Sequence, residues 1–178
     1  MYRIGGHDMD LHFFYDRKDV RRCTACGHLL SKWDEDLAIV PIGKYRKYDI
    51  GASYDGVCIF SRRAKAIYDQ AGMSGLQFTP LAHPDLFAVQ AKVIVHYDPT
   101  SPGTRFLDKC NICGLFGFVG TSSAGALVPG SEVPALGFAR TDLEFAAKDE
   151  KHPLLVCGDE AAAILRAAKL KGLELKKL

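Results

Sequence analysis

The alternation of apolar and polar positions predicts the same small unit twice along this chain. Residues 57–60 and 154–157 are short apolar runs with the length and composition of buried strands. After each run, apolar residues recur at i, i+3, i+4 and i+7, which is the spacing of one face of an α-helix. Apolar and polar residues then alternate over residues 76–78 and 173–175, as they do in a half-buried strand. The pattern therefore predicts two strand–helix–strand units.

The ends of the two helices are predicted from the residues that border the apolar faces. We expect the helices to span residues 61–73 and 158–170. Ser61 and Asp159 stand at the position of an N-cap, where a short polar side chain can accept a hydrogen bond from the first helical turn. Both units are thus expected to begin their helices directly after a strand.

The two units are similar in sequence as well as in pattern. Moving residues 60–79 forward by 97 positions aligns them with the second unit without a gap. Identical residues recur at six aligned pairs, namely Ala64 and Ala161, Ala66 and Ala163, Ile67 and Ile164, Ala71 and Ala168, Gly75 and Gly172, and Leu76 and Leu173. Gly75 and Gly172 are expected to end the helices, because glycine readily adopts the left-handed conformation of a C-terminal cap. Ile67 and Ile164 are expected to be equivalent core residues.

The pairing between the two halves continues upstream of these units, with gaps. A Cys-x-x-Cys-Gly sequence begins at Cys23 in the first half and at Cys110 in the second. Residues 48–50 and 141–143 also stand at comparable places. A duplicated module is the simplest account of this order.

We therefore predict an α+β fold in one domain, residues 1–178, built from two pseudo-symmetric repeats. The repeats cover approximately residues 1–82 and 83–178, and each contains a strand, a cysteine turn and a strand–helix–strand unit. Residues 86–97 are rich in Val, Ile, Phe and Ala and are predicted to form the long strand that begins the second half. Residues 98–103 and 120–125 are predicted to be loops, because they are rich in Gly, Pro, Ser and Thr.

The two cysteine turns carry the clearest chemistry in the sequence. Two thiolates on one tight turn supply half of a tetrahedral zinc site, and the following glycine lets the backbone fold so that its amides point at sulfur. Two such turns supply four ligands, which are Cys23, Cys26, Cys110 and Cys113. Because most of the first repeat separates the turns, we expect a split structural Zn²⁺ site that joins the two halves.

Two other interpretations of the cysteine turns remain open. One is thioredoxin-like redox chemistry, which uses a Cys-x-x-Cys that opens a helix after a strand, and the other is a pair of turns without metal. Covalent haem requires His directly after the second Cys, and Gly27 intervenes before His28. We expect His28 to be a surface or hydrogen-bonded residue and not a ligand. Cys58 and Cys157 are expected to be inert core residues, since free Cys commonly behaves as a small hydrophobe.

Composition and charge exclude several classes of protein. Hydrophobic residues make up 48% of the 178 residues, too many for a disordered chain, and no apolar run approaches the length of a membrane span. The 23 Lys and Arg against 21 Asp and Glu give a net charge of +2, too small for a strong electrostatic footprint on nucleic acid. The first residues lack the apolar run of a secretory signal, so we expect a cytoplasmic protein with reduced cysteines.

The search for catalytic and nucleic-acid-binding signals leaves one alternative. No Gly-rich phosphate loop, nucleophile elbow or zinc-protease helix is found, so we do not expect an enzyme. Basic residues lie beside the first cysteine turn, and these are Arg17, Lys18, Arg21 and Arg22. Because of these basic residues, the alternative function is a zinc-ribbon module that binds nucleic acid. Direct nucleic-acid binding is nevertheless not what we expect.

The two Cys-x-x-Cys-Gly turns, together with the segments 60–64 and 71–78, resemble the double CxxCG motif family of bacterial immunity proteins. The resemblance implies a non-enzymatic antidote in interbacterial competition, encoded beside a polymorphic toxin, with the four turn cysteines as metal ligands. It assigns no toxin-binding residue, because such surfaces diversify with each toxin. Since a cytoplasmic antidote protects against a toxin that acts in the cytoplasm, a nuclease is the expected partner.

Overall fold

The computed structural model describes residues 1–121 and 126–178, which form a mixed α+β fold dominated by strands. The strands are β1 (Tyr2–Asp8), β2 (Ile50–Ala52), β3 (Cys58–Ser61), β4 (Leu76–Leu81), β5 (His83–Ala91), β6 (Ile94–Val95), β7 (Arg105–Lys109), β8 (Phe116–Gly120), β9 (Phe138–Ala147), β10 (His152–Cys157) and β11 (Leu173–Lys177). The helices are α1 (Arg62–Gln70) and α2 (Asp159–Ala167), and Lys32–Asp34 and Lys148–Glu150 form short 3-10 turns. The predicted α+β class and both strand–helix–strand units are confirmed.

The described strands form one continuous sheet in the order β4-β5-β3-β2-β1-β10-β9-β8-β7. Two further pairings lie off this path, since β11 pairs with β1 and β6 pairs with β9. As a result, β5 lies between the two strands that flank α1, and β1 lies between the two strands that flank α2. The first strand of the chain therefore completes the second strand–helix–strand unit.

The registers of these two inserted strands correspond. In β5, Val89 pairs with both Cys58 and Phe78. In β1, Ile4 pairs with both Leu155 and Leu175. These two residues stand 97 positions after Cys58 and Phe78, the partners of Val89. The next strands correspond as well, because Ile50 occupies the position in β2 that Phe138 occupies in β9. Residues 48–50, which were expected to stand at a place comparable to 141–143, lead into β2, and residues 141–143 lie within β9.

The two helix N-termini differ in their caps. Ser61 caps α1 as predicted, and its Oγ accepts a hydrogen bond from the Ala64 amide at 3.2 Å. In α2 the N-cap is Gly158, and Asp159 is the first helical residue, so the cap predicted at Asp159 is wrong. A Cβ at residue 158 would lie 2.1 Å from the main-chain oxygen of Pro134, which leaves only glycine at this position. The Asp159 carboxylate instead binds the amino terminus at 2.5 Å.

Both helices end three residues earlier than predicted. Gly72 follows α1 with a φ of +64°, and Lys169 follows α2 with a φ of +49°. Gly75 and Gly172, which were expected to end the helices, lie just before β4 and β11. A Cβ at these two glycines would lie 2.2 and 2.3 Å from main-chain oxygens of neighbouring segments. These two glycines therefore allow another segment of backbone to approach closely, and they do not cap the helices.

One hydrophobic core is shared by the two helices and the centre of the sheet. Its buried helix residues are Ala64, Tyr68, Ala161, Ala162 and Leu165. Ile67 and Ile164, which were expected to be central, are only partly buried and pack against the edge of this core. The face that each helix buries is therefore narrower than the apolar face predicted from the sequence.

The predicted strand over residues 86–97 is interrupted in the structure. It divides into β5, which pairs with β3 and β4, and β6, which pairs with β9. Residues 98–103 form turns, as predicted. Of the second predicted loop, residues 122–125 lie outside the described residues. Neither described helix is long and apolar enough to cross a membrane.

Candidate metal centre

The first cysteine turn is a tight loop closed by main-chain hydrogen bonds. The Cys23 amide donates to the main-chain oxygen of His28 at 2.8 Å, and the Gly27 amide donates back to that of Cys23 at 2.8 Å. Arg22 and Leu29 form a β-bridge at its base. Gly27 has a φ of +74°, a conformation that strongly favours glycine. The turn thus has the glycine requirement that the sequence predicted.

The second turn has the same construction and connects β7 with β8. The Cys110 amide donates to the main-chain oxygen of Leu115, and the Gly114 amide donates to that of Cys110, both at 2.9 Å. Lys109 and Phe116 pair at its base, and Gly114 also has a φ of +74°. The two Cys-x-x-Cys-Gly segments therefore fold alike although their first cysteines stand 87 positions apart.

The four turn cysteines meet in one cluster. Their Sγ atoms all lie within 4.8 Å of one another, with Cys23 and Cys110 3.9 Å apart and Cys26 and Cys113 3.6 Å apart. Four thiolates at about 2.3 Å from a tetrahedral metal ion would be about 3.8 Å apart. Since the observed spacing fits this geometry, the four cysteines are positioned to hold a metal ion. Neither turn opens an α-helix, which is the setting that the redox interpretation needs.

Main-chain amides stabilise the thiolate of the first cysteine in each turn. The amides of Cys113 and Ile112 point at the Cys110 sulfur and lower the pKa of this thiol to about 6. The corresponding amides of the first turn lower the pKa of Cys23. Each turn thus supplies one sulfur that is prepared to bind a cation.

The second cysteine of the first turn behaves differently without a metal. The His28 amide lowers the pKa of Cys26, but burial and the three neighbouring thiols outweigh it and raise this pKa to about 12. Four negative sulfurs at this spacing repel one another, so the bare cluster retains protons. A divalent cation compensates for the charge and allows all four ligands to be thiolates.

His28 lies behind the first turn and supports it. The residue is buried, and its Nδ1 lies 2.8 Å from the Cys26 sulfur. Burial, aided by the charge of Lys151, lowers the pKa of His28 and favours the neutral ring. The expected hydrogen-bonded role is confirmed, whereas a surface position is wrong. In the sequence, the only signal for this hydrogen-bonded role is the position of His28 directly after Gly27.

Arg22 connects the first turn with the second half of the chain. Its guanidinium donates to the main-chain oxygens of Gly27 at 3.0 Å and Phe14 at 3.1 Å, and to the Asp149 carboxylate at 2.7 Å. Arg17, the other arginine with several partners in this region, pairs with Asp19 and Glu35. Two of the four basic residues beside the turn are therefore bound to carboxylates of the same chain.

Two buried lysines extend this connection, and the sequence pattern did not reveal them. Lys32 donates to the main-chain oxygens of Asp149 at 2.8 Å and Lys151 at 2.7 Å. Lys151 in turn donates to the main-chain oxygen of Phe116, beside the second turn, at 2.7 Å. Burial lowers the pKa of Lys32 to about 8. The two cysteine turns are thus joined through the 148–151 segment as well as at the sulfur cluster.

The remaining two cysteines lie away from this cluster. Cys58 and Cys157 pack in the shared core, and burial raises the pKa of each thiol to about 12. Buried thiols of this kind are poor nucleophiles, in agreement with the prediction that both are inert.

Comparison of the sequence with models of known protein families gives no match, and comparison with curated proteins gives none either. Functional inference for this chain therefore begins from the four-cysteine cluster and the segments that hold it.

Proposed function

We propose that this chain is an immunity protein that binds a toxin acting in the cytoplasm, with a nuclease as the expected class, and neutralises it by stoichiometric blockade. The observation that carries the proposal is the meeting of two like Cys-x-x-Cys-Gly turns in one four-sulfur cluster. This pair of turns is also what the chain has in common with the double CxxCG motif family of immunity proteins. A protein that acts by binding needs a stable surface, and a cross-linked fold provides one.

We infer that the metal is Zn²⁺ and that its role is structural. Four cysteine ligands at tetrahedral spacing are a donor set typical of structural zinc. Such a site leaves no position open for water or substrate, in contrast to catalytic zinc sites with three protein ligands. Zinc therefore contributes stability here, and the antidote activity belongs to the protein surface.

We also propose that the chain is a single domain made of two pseudo-symmetric repeats, approximately residues 1–82 and 83–178. The support comes from the equal lengths of α1 and α2, the equal φ of the two turn glycines and the corresponding registers of β1 and β5. In this arrangement each half gives its first strand to the unit of the other half. The zinc site would then join halves that already share strands.

The alternative function is a zinc-ribbon module that binds nucleic acid directly. It would require the basic residues near the first turn to contact phosphates. Arg17 and Arg22 are instead paired with carboxylates of the chain, and the net charge is only +2. The antidote interpretation is therefore the better supported of the two.

A titration distinguishes the two functions. The full zinc-loaded chain is added to the nuclease encoded by the neighbouring gene, and we expect nuclease activity to disappear at about one equivalent. The same chain should show little affinity for DNA or RNA at any salt concentration. Tight binding to nucleic acid that weakens steeply with salt, without protection against the toxin, would instead establish the zinc-ribbon alternative.

A further inference from the structure

We propose that the outer edge of the four-cysteine cluster, formed by Cys26 and Cys113, is a site of oxidative modification. A peroxide converts these two thiolates into a disulfide, which joins the two cysteine turns in place of the metal. This reaction rests on the zinc site proposed above and does not involve the antidote activity. It removes the metal but leaves the two halves of the chain linked.

The cluster contains two close sulfur pairs, and each pair connects one turn with the other. Cys23 and Cys110 form the inner pair, whose Sγ atoms are 3.9 Å apart. Cys26 and Cys113 form the outer pair, whose Sγ atoms are 3.6 Å apart. The sulfurs of a disulfide are about 2.05 Å apart, so the outer pair has to close by only about 1.5 Å. A bond formed within either pair therefore links the first half of the chain to the second.

Exposure favours the outer pair over the inner pair. Cys26 is exposed and Cys113 is half-buried, whereas Cys23 is buried. Cys26 also lines a cavity of about 360 Å³, and residues 147–150 lie in the same lining. A peroxide molecule can therefore reach Cys26 from solvent, while Cys23 is shielded by the surrounding chain.

The reaction balances as a two-electron oxidation. With the metal bound, all four cysteines are thiolates, which is the form that reacts with peroxides. The Cys26 sulfur attacks one peroxide oxygen, the O–O bond breaks, and Cys26 becomes a sulfenic acid while hydroxide leaves. The Cys113 thiolate then attacks the Cys26 sulfur, so that the S–S bond forms and the S–O bond breaks with release of a second hydroxide. Two protons from solvent convert the two hydroxides into water.

The disulfide uses two of the four metal ligands but retains the cross-link between the turns. Cys26 and Cys113 stand 87 positions apart, as do the cysteines of the inner pair, so the disulfide closes a loop of the length that the metal closes. The main-chain hydrogen bonds that close each turn join amides to main-chain oxygens and do not involve sulfur. Oxidation is therefore expected to release the metal without separating the turns. Thioredoxin-like exchange differs, because it joins the two cysteines of one turn.

The test uses the full zinc-loaded chain, shown beforehand to contain one zinc per chain, and hydrogen peroxide in the presence of a chromogenic zinc chelator. Free thiols are then alkylated in denaturant, and the protein is cleaved with trypsin. The cysteines of the first turn fall in one peptide, residues 23–32, and those of the second turn in another, residues 110–140. A link between the turns thus joins two peptides, whereas a link within a turn stays inside one. Fragmentation of the joined peptides identifies the linked cysteines by mass spectrometry.

We expect one released zinc for each link between Cys26 and Cys113, with both cysteines of the inner pair alkylated. The oxidised chain should unfold at a higher urea concentration than the reduced metal-free chain, because the disulfide restricts the unfolded state. Dithiothreitol followed by zinc should restore one zinc per chain. Cys58→Ala is the matched control, since it removes a thiol of the core and should release zinc at the rate of the parent.

Four results would overturn the proposal. These are a first link within one turn, a first link between Cys23 and Cys110, release of zinc without any link between the turns, and retention of zinc after the link has formed. Slower release from Cys58→Ala would contradict it as well, because the reactive thiol would then lie in the core. Since the starting protein contains zinc and its antidote activity is measured separately on untreated samples, none of these results would refute the proposed function.

Discussion

Loss of the metal should destabilise this protein by an amount that follows from the length of chain between the two turns. Cys26 and Cys110 close a loop that contains most of the first half of the chain. A cross-link across a loop of about 100 residues stabilises a fold by about 4–5 kcal/mol in the chain-entropy model. We therefore expect Cys110→Ser, or removal of zinc by a chelator, to lower the free energy of unfolding by at least about 4 kcal/mol.

This change is large compared with the stability of an ordinary domain, about 5–15 kcal/mol. For a chain of this size it corresponds to a fall in Tm of about 10–20 °C. The assay is urea unfolding followed by circular dichroism, with zinc content measured by elemental analysis on the same samples. The parent should contain one zinc per chain, and the Cys110→Ser protein should contain much less.

Cys58→Ala is the matched control, because it removes a cysteine that lies in the core and not in the cluster. This variant should retain one zinc per chain, whatever stability it loses through the smaller side chain. A folded parent without metal, or a Cys110→Ser protein within about 1 kcal/mol of the parent, would contradict the assigned role of the cluster.

Three further predictions concern other parts of the fold. His28→Ala should weaken zinc affinity about 10–100-fold in a competition assay with a chromogenic chelator, because Cys26 loses the ring that orients it, and an unchanged affinity would remove His28 from the site. Leu165→Ala should cost about 2–5 kcal/mol in urea unfolding, whereas Ile164→Ala, at the edge of the core, should cost clearly less, and equal costs would contradict the assigned helix face. Burial lowers the pKa of Lys32 to about 8 from 10.5, so the unfolded state binds the proton more tightly and stability should rise with pH between these values. Lys32→Met should flatten this rise relative to the parent, and an identical pH profile in the two proteins would refute the assignment.

The sequence was most informative where structure depends on local spacing. Apolar periodicity located both helices and their strands, and the Ser61 cap was found because a cap depends on a few neighbouring residues. The likeness of the two cysteine turns was also visible, since a tight turn followed by Gly27 or Gly114 is a local feature. Their meeting in one cluster could be expected from chemistry, because a structural zinc ion requires four ligands.

The sequence was less informative where a residue serves a distant contact. Gly75 looks like a helix cap, but its lack of a side chain serves the approach of Phe138, which is 63 positions further along the chain. Similarly, the sequence around Lys32 is typical of a surface residue, whereas in the structure its ammonium group donates to the main-chain oxygens of Asp149 and Lys151. Such roles depend on which segments come together, and no periodic pattern records that.

The arrangement of the sheet explains why a metal would be needed at the cysteine turns and not elsewhere. The centre of the fold is secured by shared strands, since β1 lies between β10 and β11 and the two helices bury one core. The β7–β8 hairpin that carries the second turn has a shorter ladder to the rest of the sheet, because among the described residues only Phe118 and Val119 pair with β9. The first turn precedes a segment with little regular structure, up to β2. A cation bound by both turns would therefore stabilise the part of the molecule that the core and the sheet support least.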